Sequence, residues 1–103
     1  MKILKLILAG VFVFAVAANS AQAGGDAAAG ESKAATCAGC HGADGMGIDP
    51  NPPLAGLDEA FIVEQLEAFK SGARENQMMQ MFAGQLSEQD MADLAAYYAS
   101  LGN

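Results

Sequence analysis

Five consecutive residues constrain this chain more than any others: Cys37-Ala38-Gly39-Cys40-His41. They contain both cysteines and the single histidine among 103 residues. Two thiols two residues apart, followed directly by His, form the attachment pattern of c-type haem. Each thiol adds to one of two neighbouring vinyl groups on the porphyrin edge, and the adjoining imidazole is then placed to bind iron. This reading expects the chain to turn tightly between the cysteines, with Gly39 permitting the turn. Other uses of the pair are a plain disulfide or a thioredoxin-like redox couple. A thioredoxin-like fold needs a sheet, and no mature segment alternates apolar and polar residues as a strand does. A zinc site needs four ligands, commonly Cys and His, and this chain has three.

The chain begins with a basic stretch carrying Lys2 and Lys5, an apolar run from Leu6 to Ala18, and Ala21-Gln22-Ala23. That order is a secretory signal peptide over residues 1–23, cut after Ala23. The alternative is an anchor that stays attached, but the run is shorter than the roughly 20 apolar residues that span a bilayer. The expected mature domain, residues 24–103, holds three cations against all twelve acids, a net charge of −9. Such a surface is a poor partner for nucleic acid. A domain of this size struggles to bury enough apolar area unaided. It has no Trp and five aromatics, Phe61, Phe69, Phe82, Tyr97 and Tyr98, so a cofactor, metal or disulfide is expected to complete the core.

The fold class expected is all-α. Asp26 to Ala38 is Ala-rich and predicts a first helix, capped by Gly25 or Asp26. Gly39 to Gly56, with Pro50, Pro52 and Pro53, predicts a loop stiffened by its prolines. A loop of that length in a small domain is usually functional. Asp58 to Ser71 predicts a helix with Asp58 as N-cap and Gly72 as its stop. A methionine-bearing connector follows. Ser87-Glu88-Gln89-Asp90 resembles a capping box with Asp at its fourth position. Met91, Leu94, Ala95, Tyr98 and Leu101 then mark one face of a last helix ended by Gly102.

One histidine excludes iron bound by two histidines of this chain, so a sixth ligand must come from elsewhere, and Met is the usual choice in electron-carrying cytochromes. Met91 falls within the last helix and is expected in the core. Met46 lies too near the attachment site to reach the opposite face. Met78, Met79 and Met81 remain, and gap-filling is the alternative role for most of them.

With these residues in view, the sequence resembles class I c-type cytochromes. It is closest to the small acidic or neutral bacterial forms and to single domains of the related two-haem forms. Asp26 to Gly42 resembles the family's first helix and haem motif, and Pro52-Pro53-Leu54-Ala55-Gly56 its proline-containing haem loop. Gln65 to Gly72 resembles the middle helix. Met78-Met79, Leu86-Ser87 and Ala95-Ala96-Tyr97-Tyr98 resemble the ligand loop and last helix. The resemblance implies a cytochrome c fold, with N- and C-terminal helices crossing and a middle helix and loops wrapped around one covalent haem. It implies haem attachment at Cys37 and Cys40, and iron ligation by His41 and Met79, with Met78 or Met81 as alternatives. It also implies a Pro52 carbonyl that accepts from the other ring nitrogen of His41, and a helix crossing at Gly30 and Tyr97.

An iron whose six positions are all filled, two of them by protein side chains, has no open position for substrate and suits electron transfer rather than catalysis. Leu54, Leu57, Ile62, Leu66, Phe69, Phe82 and Leu94 are the expected pocket walls. The function expected is a periplasmic electron carrier, not an enzyme. Its expected partners are redox proteins with basic docking patches, with no stable membrane insertion once the signal is removed. One rival is a ligand-binding or sensory haem protein with an open or weak sixth position. Another is the electron-delivery subunit of a larger redox enzyme, and a structural protein with a simple disulfide is the plainest alternative.

Overall fold

The computed structural model describes residues 24–102, so the expected signal peptide lies outside the described residues. Five helices follow one another: α1 (Ala27–Lys33), α2 (Ala35–His41), α3 (Glu59–Ser71), α4 (Gln77–Ala83) and α5 (Glu88–Ser100). Among the described residues there is no strand, only an isolated bridge between Ile48 and Asn51. The all-α expectation holds.

Local chemistry sets the helix ends. The Asp26 carboxylate accepts from the Ala28 and Ala29 N–H groups at the start of α1, and Asp58 accepts from Phe61 N–H at the start of α3. Ser87 and Asp90 complete the expected capping box: each side chain accepts from the other's backbone N–H. Gly72 ends α3 in the left-handed region, at φ 86°.

Three expectations are corrected. The first helix is divided at Ala34, where the Cys37 N–H bonds back three residues to the Ala34 carbonyl at 2.8 Å, a tighter turn than the α-helix. Helix then continues through His41, three residues beyond the expected end, so the cysteines are not separated by a sharp turn. Gly39 sits in that helix with open space where a Cβ would project. Its helical cost, about 1 kcal/mol against Ala, is outweighed by the Ala-rich surroundings. The methionine connector also contains a helix, α4, because Asn76 caps it through Met79 N–H at 2.9 Å and good helix formers follow.

α1 packs on α5, and α3 packs on both α5 and α4. The α1–α5 approach depends on Gly30, where a Cβ would come within 2.0 Å of the Asp93 carbonyl oxygen and 2.8 Å of the Tyr97 Cβ. Asp93, 3% exposed, ties the same crossing together. Its carboxylate accepts from Asp26 N–H and Gln89 Nε2, each at 2.8 Å, and pairs with Lys33, which also reaches Asp90 at 3.0 Å. The core beside this crossing is Ala34, Ile62, Leu94, Ala95 and Tyr98, with Cys37, Leu54, Leu57 and Leu66 packed against it.

Candidate haem site

The helical path of α2 gives the cysteine-histidine motif its geometry. Cys37, Cys40 and His41 stand at i, i+3 and i+4, and residues so spaced share one face of a helix. Both thiols are free, Cys37 half-buried and Cys40 exposed. Burial pushes the Cys37 thiol above its ordinary value, and the Tyr98 hydroxyl beside it pushes back.

His41 is buried, and its Nδ1 lies 2.8 Å from the Pro52 carbonyl oxygen. A carbonyl only accepts, so Nδ1 carries the proton and donates. Nε2 is then the ring nitrogen with a lone pair for a metal. The loop between His41 and Pro52 is folded to make this contact. Gly47 N–H donates to the His41 carbonyl at 2.7 Å, and the Gly45 carbonyl accepts from Leu54 and Ala55. Gly47 has φ 89°, and a Cβ there would stand 2.8 Å from Pro53 N, so no other residue fits without moving the proline pair.

On α4, Met79 is half-buried while its neighbours Met78 and Met81 are 54% and 52% exposed. Met91 is 1% exposed, as expected of a core residue, and Met46 is 63% exposed. Of the expected pocket walls, Leu54, Leu57, Ile62, Leu66 and Leu94 meet in one cluster. Phe69 is buried elsewhere on α3, with the Arg74 guanidinium 4.6 Å from its ring centre, and Phe82 is half-buried on α4. Sequence reasoning missed two contributors. Lys70 of α3 donates to the Leu86 carbonyl and ties down the segment after α4. Asn76 fixes the start of the helix that bears Met79. An Asn directly before a run of helix formers was a legible sign of the second.

The donor set fits a covalent haem: two free thiols and an imidazole with its lone pair on Nε2 share one helix face, with Cys37 packed against an apolar cluster. The sequence profile of the Cytochrome c family matches residues 27–102. The chain belongs to the Cytochrome c family. It is 51% identical over 81 residues to cytochrome c4 of Pseudomonas aeruginosa, covering 78% of this chain and 40% of that protein. It is 44% identical over 80 residues to cytochrome c-554(548) of Halomonas halodenitrificans, covering 74% of this chain and 96% of that protein. The solved cytochrome c4 of Acidithiobacillus ferrooxidans superposes with a TM-score of 0.70 at 35% identity, over 72% of this chain and 48% of that one. The chain thus matches one domain of the two-haem c4 cytochromes and spans less than half their length. The fold is that of cytochrome c, and the family's cofactor is covalent haem c, which the Cys37 and Cys40 pair suits.

Proposed function

We propose that this chain is a periplasmic electron carrier with one haem c. In this reading Cys37 and Cys40 form the two thioethers, His41 Nε2 and the Met79 sulfur hold the iron, and Pro52 orients His41. The observation that carries it is the shared α2 face of Cys37, Cys40 and His41, with the ring locked by the Pro52 carbonyl. The haem, when bound, supplies an iron that accepts and releases one electron.

The chain's own residues do the rest. The Pro52 carbonyl fixes the imidazole's tautomer and angle and makes it a better donor to metal. A Met partner favours ferrous iron. Leu54, Leu57, Ile62, Leu66 and Leu94 keep the surroundings apolar, which disfavours the more highly charged oxidised state. With His41 and Met79 both holding the iron, little change of shape would accompany a change of oxidation state.

Residues 1–23 are proposed as the leader that sends residues 24–103 across the inner membrane. Among the described residues no helix is long and apolar enough to cross a membrane. The three cations of the mature domain are each engaged: Lys33 by Asp90 and Asp93, Lys70 by the Leu86 carbonyl, and Arg74 by Gln65 and Phe69. The surface left to a partner is acidic, which favours a redox protein with a basic docking patch and transfer that slows as salt rises.

Absorption spectra of purified periplasmic protein test the reading. Sharp c-type bands on reduction, a Met-to-ferric-iron band and no response to carbon monoxide are expected. Ready binding of carbon monoxide would replace it with the sensory alternative.

A further inference from the structure

The three residues after the expected cut are fixed to the domain rather than left to trail from it. Asp26 N–H donates to the Asp93 carboxylate at 2.8 Å, and the Asp26 side chain caps α1. Gly25 lies so close to α5 that an added Cβ would stand 1.9 Å from the Ala92 carbonyl oxygen, an approach that suits glycine alone. These contacts carry Gly24 to the start of α3. There an added Cβ would stand 3.3 Å from Glu59 Oε2, and Gly24 and Glu59 line one hollow with Ala60, Val63 and Ala92.

Glu59 is half-buried and is the one charged side chain of that hollow. The three side-chain cations of residues 24–103 are engaged elsewhere: Lys33 by Asp90 and Asp93, Lys70 by the Leu86 carbonyl, and Arg74 by Gln65. A cut after Ala23 supplies a fourth cation. The Gly24 nitrogen, a neutral amide in the precursor, becomes an α-ammonium one bond from the Cα that lies beside Glu59.

We propose that removal of the leader creates an ion pair between the Gly24 ammonium and the Glu59 carboxylate, fastening the start of the mature chain to α3. The proposal rests on the reading of residues 1–23 as a cleaved leader. The apolar lining of Ala60, Val63 and Ala92 keeps water from part of the pair and strengthens it. Around Gly24 the ionisable groups are Glu59 from α3, Asp26 before α1, and Asp93 from α5, the last already held by Asp26 N–H, Gln89 and Lys33. All three are acids, so each favours the charged amine. Pairing raises the amine above its ordinary value of about 7.7–8.0. The fastening is therefore fully present below that range and is lost as pH rises through the raised value.

The experiment uses exported ferrous holoprotein, wild type and Glu59→Gln, with Glu75→Gln beyond the other end of α3 as control. Intact mass gives the first residue, and the Gly24 Cα resonance, followed by carbon NMR against pH, gives the amine's titration. The expected result is a chain beginning at Gly24 whose amine titrates lower in Glu59→Gln by about half a pH unit, as for a partly exposed pair, with little change in the control. A chain beginning at Gly24 whose amine titrates alike in Glu59→Gln and the control would overturn the proposal. Should Glu59→Gln yield no holoprotein, the wild type decides: proton cross-peaks between Gly24 and the Glu59 side chain support the pair, and their absence refutes it. A mass that retains residues 1–23 would instead remove the leader reading itself, and with it the ammonium.

Discussion

Asp93→Asn isolates the electrostatic lock at the α1–α5 crossing. The Asp93 carboxyl is held down to about 2, first by the Asp26 N–H, then by Lys33 and Gln89, against an ordinary 3.8. Its folded-state value lies below its unfolded one, so the stabilisation is fully present above about pH 4 and is lost as pH falls toward 2. A carboxyl displaced that far contributes on the order of 2 kcal/mol at neutral pH. Asn retains an oxygen for the Asp26 N–H but offers Lys33 no charge, and Asp90 keeps part of the Lys33 interaction. The expected loss at pH 7 is therefore about 2 kcal/mol. Urea unfolding of ferric wild type and variant, followed by far-ultraviolet circular dichroism at pH 7, 5, 3.5 and 2.5, measures it. Titrations common to both proteins, including any at the haem, cancel in the difference. The gap should hold from pH 7 to 5, narrow at 3.5 and shrink to about a third at 2.5. A gap as wide at pH 2.5 as at pH 7 would refute the charge argument, and no gap at pH 7 would refute the lock.

Three further outcomes are expected. Cys37→Ala with Cys40→Ala should give little folded protein, and helical content equal to wild type without haem, by circular dichroism, would contradict this. Met79→Ala should abolish the Met-to-ferric-iron band and admit carbon monoxide, while Met78→Ala and Met81→Ala keep the wild-type spectrum. Loss of the band in either of those two instead would move the ligand. Gly30→Ala should cost about 3 kcal/mol or more in urea titration, because the clash is with backbone of α5 rather than a yielding side chain.

What the sequence made legible was largely what depends on local chemistry. Asp58, Ser87 with Asp90, and Gly72 each act within one helical turn, so their roles follow from neighbours alone. The Gly30–Tyr97 crossing and the Pro52 carbonyl are long-range, and only family resemblance pointed to them; Gly30 lies close against Tyr97, and His41 Nδ1 is 2.8 Å from the Pro52 carbonyl. The extension of α2 through His41 is hidden in the sequence because Gly39 reads as a turn signal. A single Gly costs a helix about 1 kcal/mol, which the preceding Ala35 and Ala38 help to offset. Asp93 gave no sign in the sequence, since a carboxylate on a helix face is ordinarily solvated. Its burial depends on Asp26 and Lys33, more than fifty residues away.

The helical course of α2 also accounts for how the proposed attachment and ligation would share one short segment. On an α-helix the residue after the second cysteine falls one turn beyond the first, so Cys37, Cys40 and His41 project together. A sharp turn would have scattered them. The cost of this economy is a weak core: eight buried apolar residues among those described, three of them alanine. Such a core cannot hold α3 and α4 against conformational entropy without added apolar surface. The α1–α5 crossing is different, because Gly30, Tyr97 and Asp93 lock it through backbone approach and charge rather than apolar volume. Two kinds of damage should therefore be separable. Loss of haem should leave little folded protein, with α4 and the Pro52 loop released first, whereas loss of Asp93 should lower stability while leaving the haem spectrum unchanged.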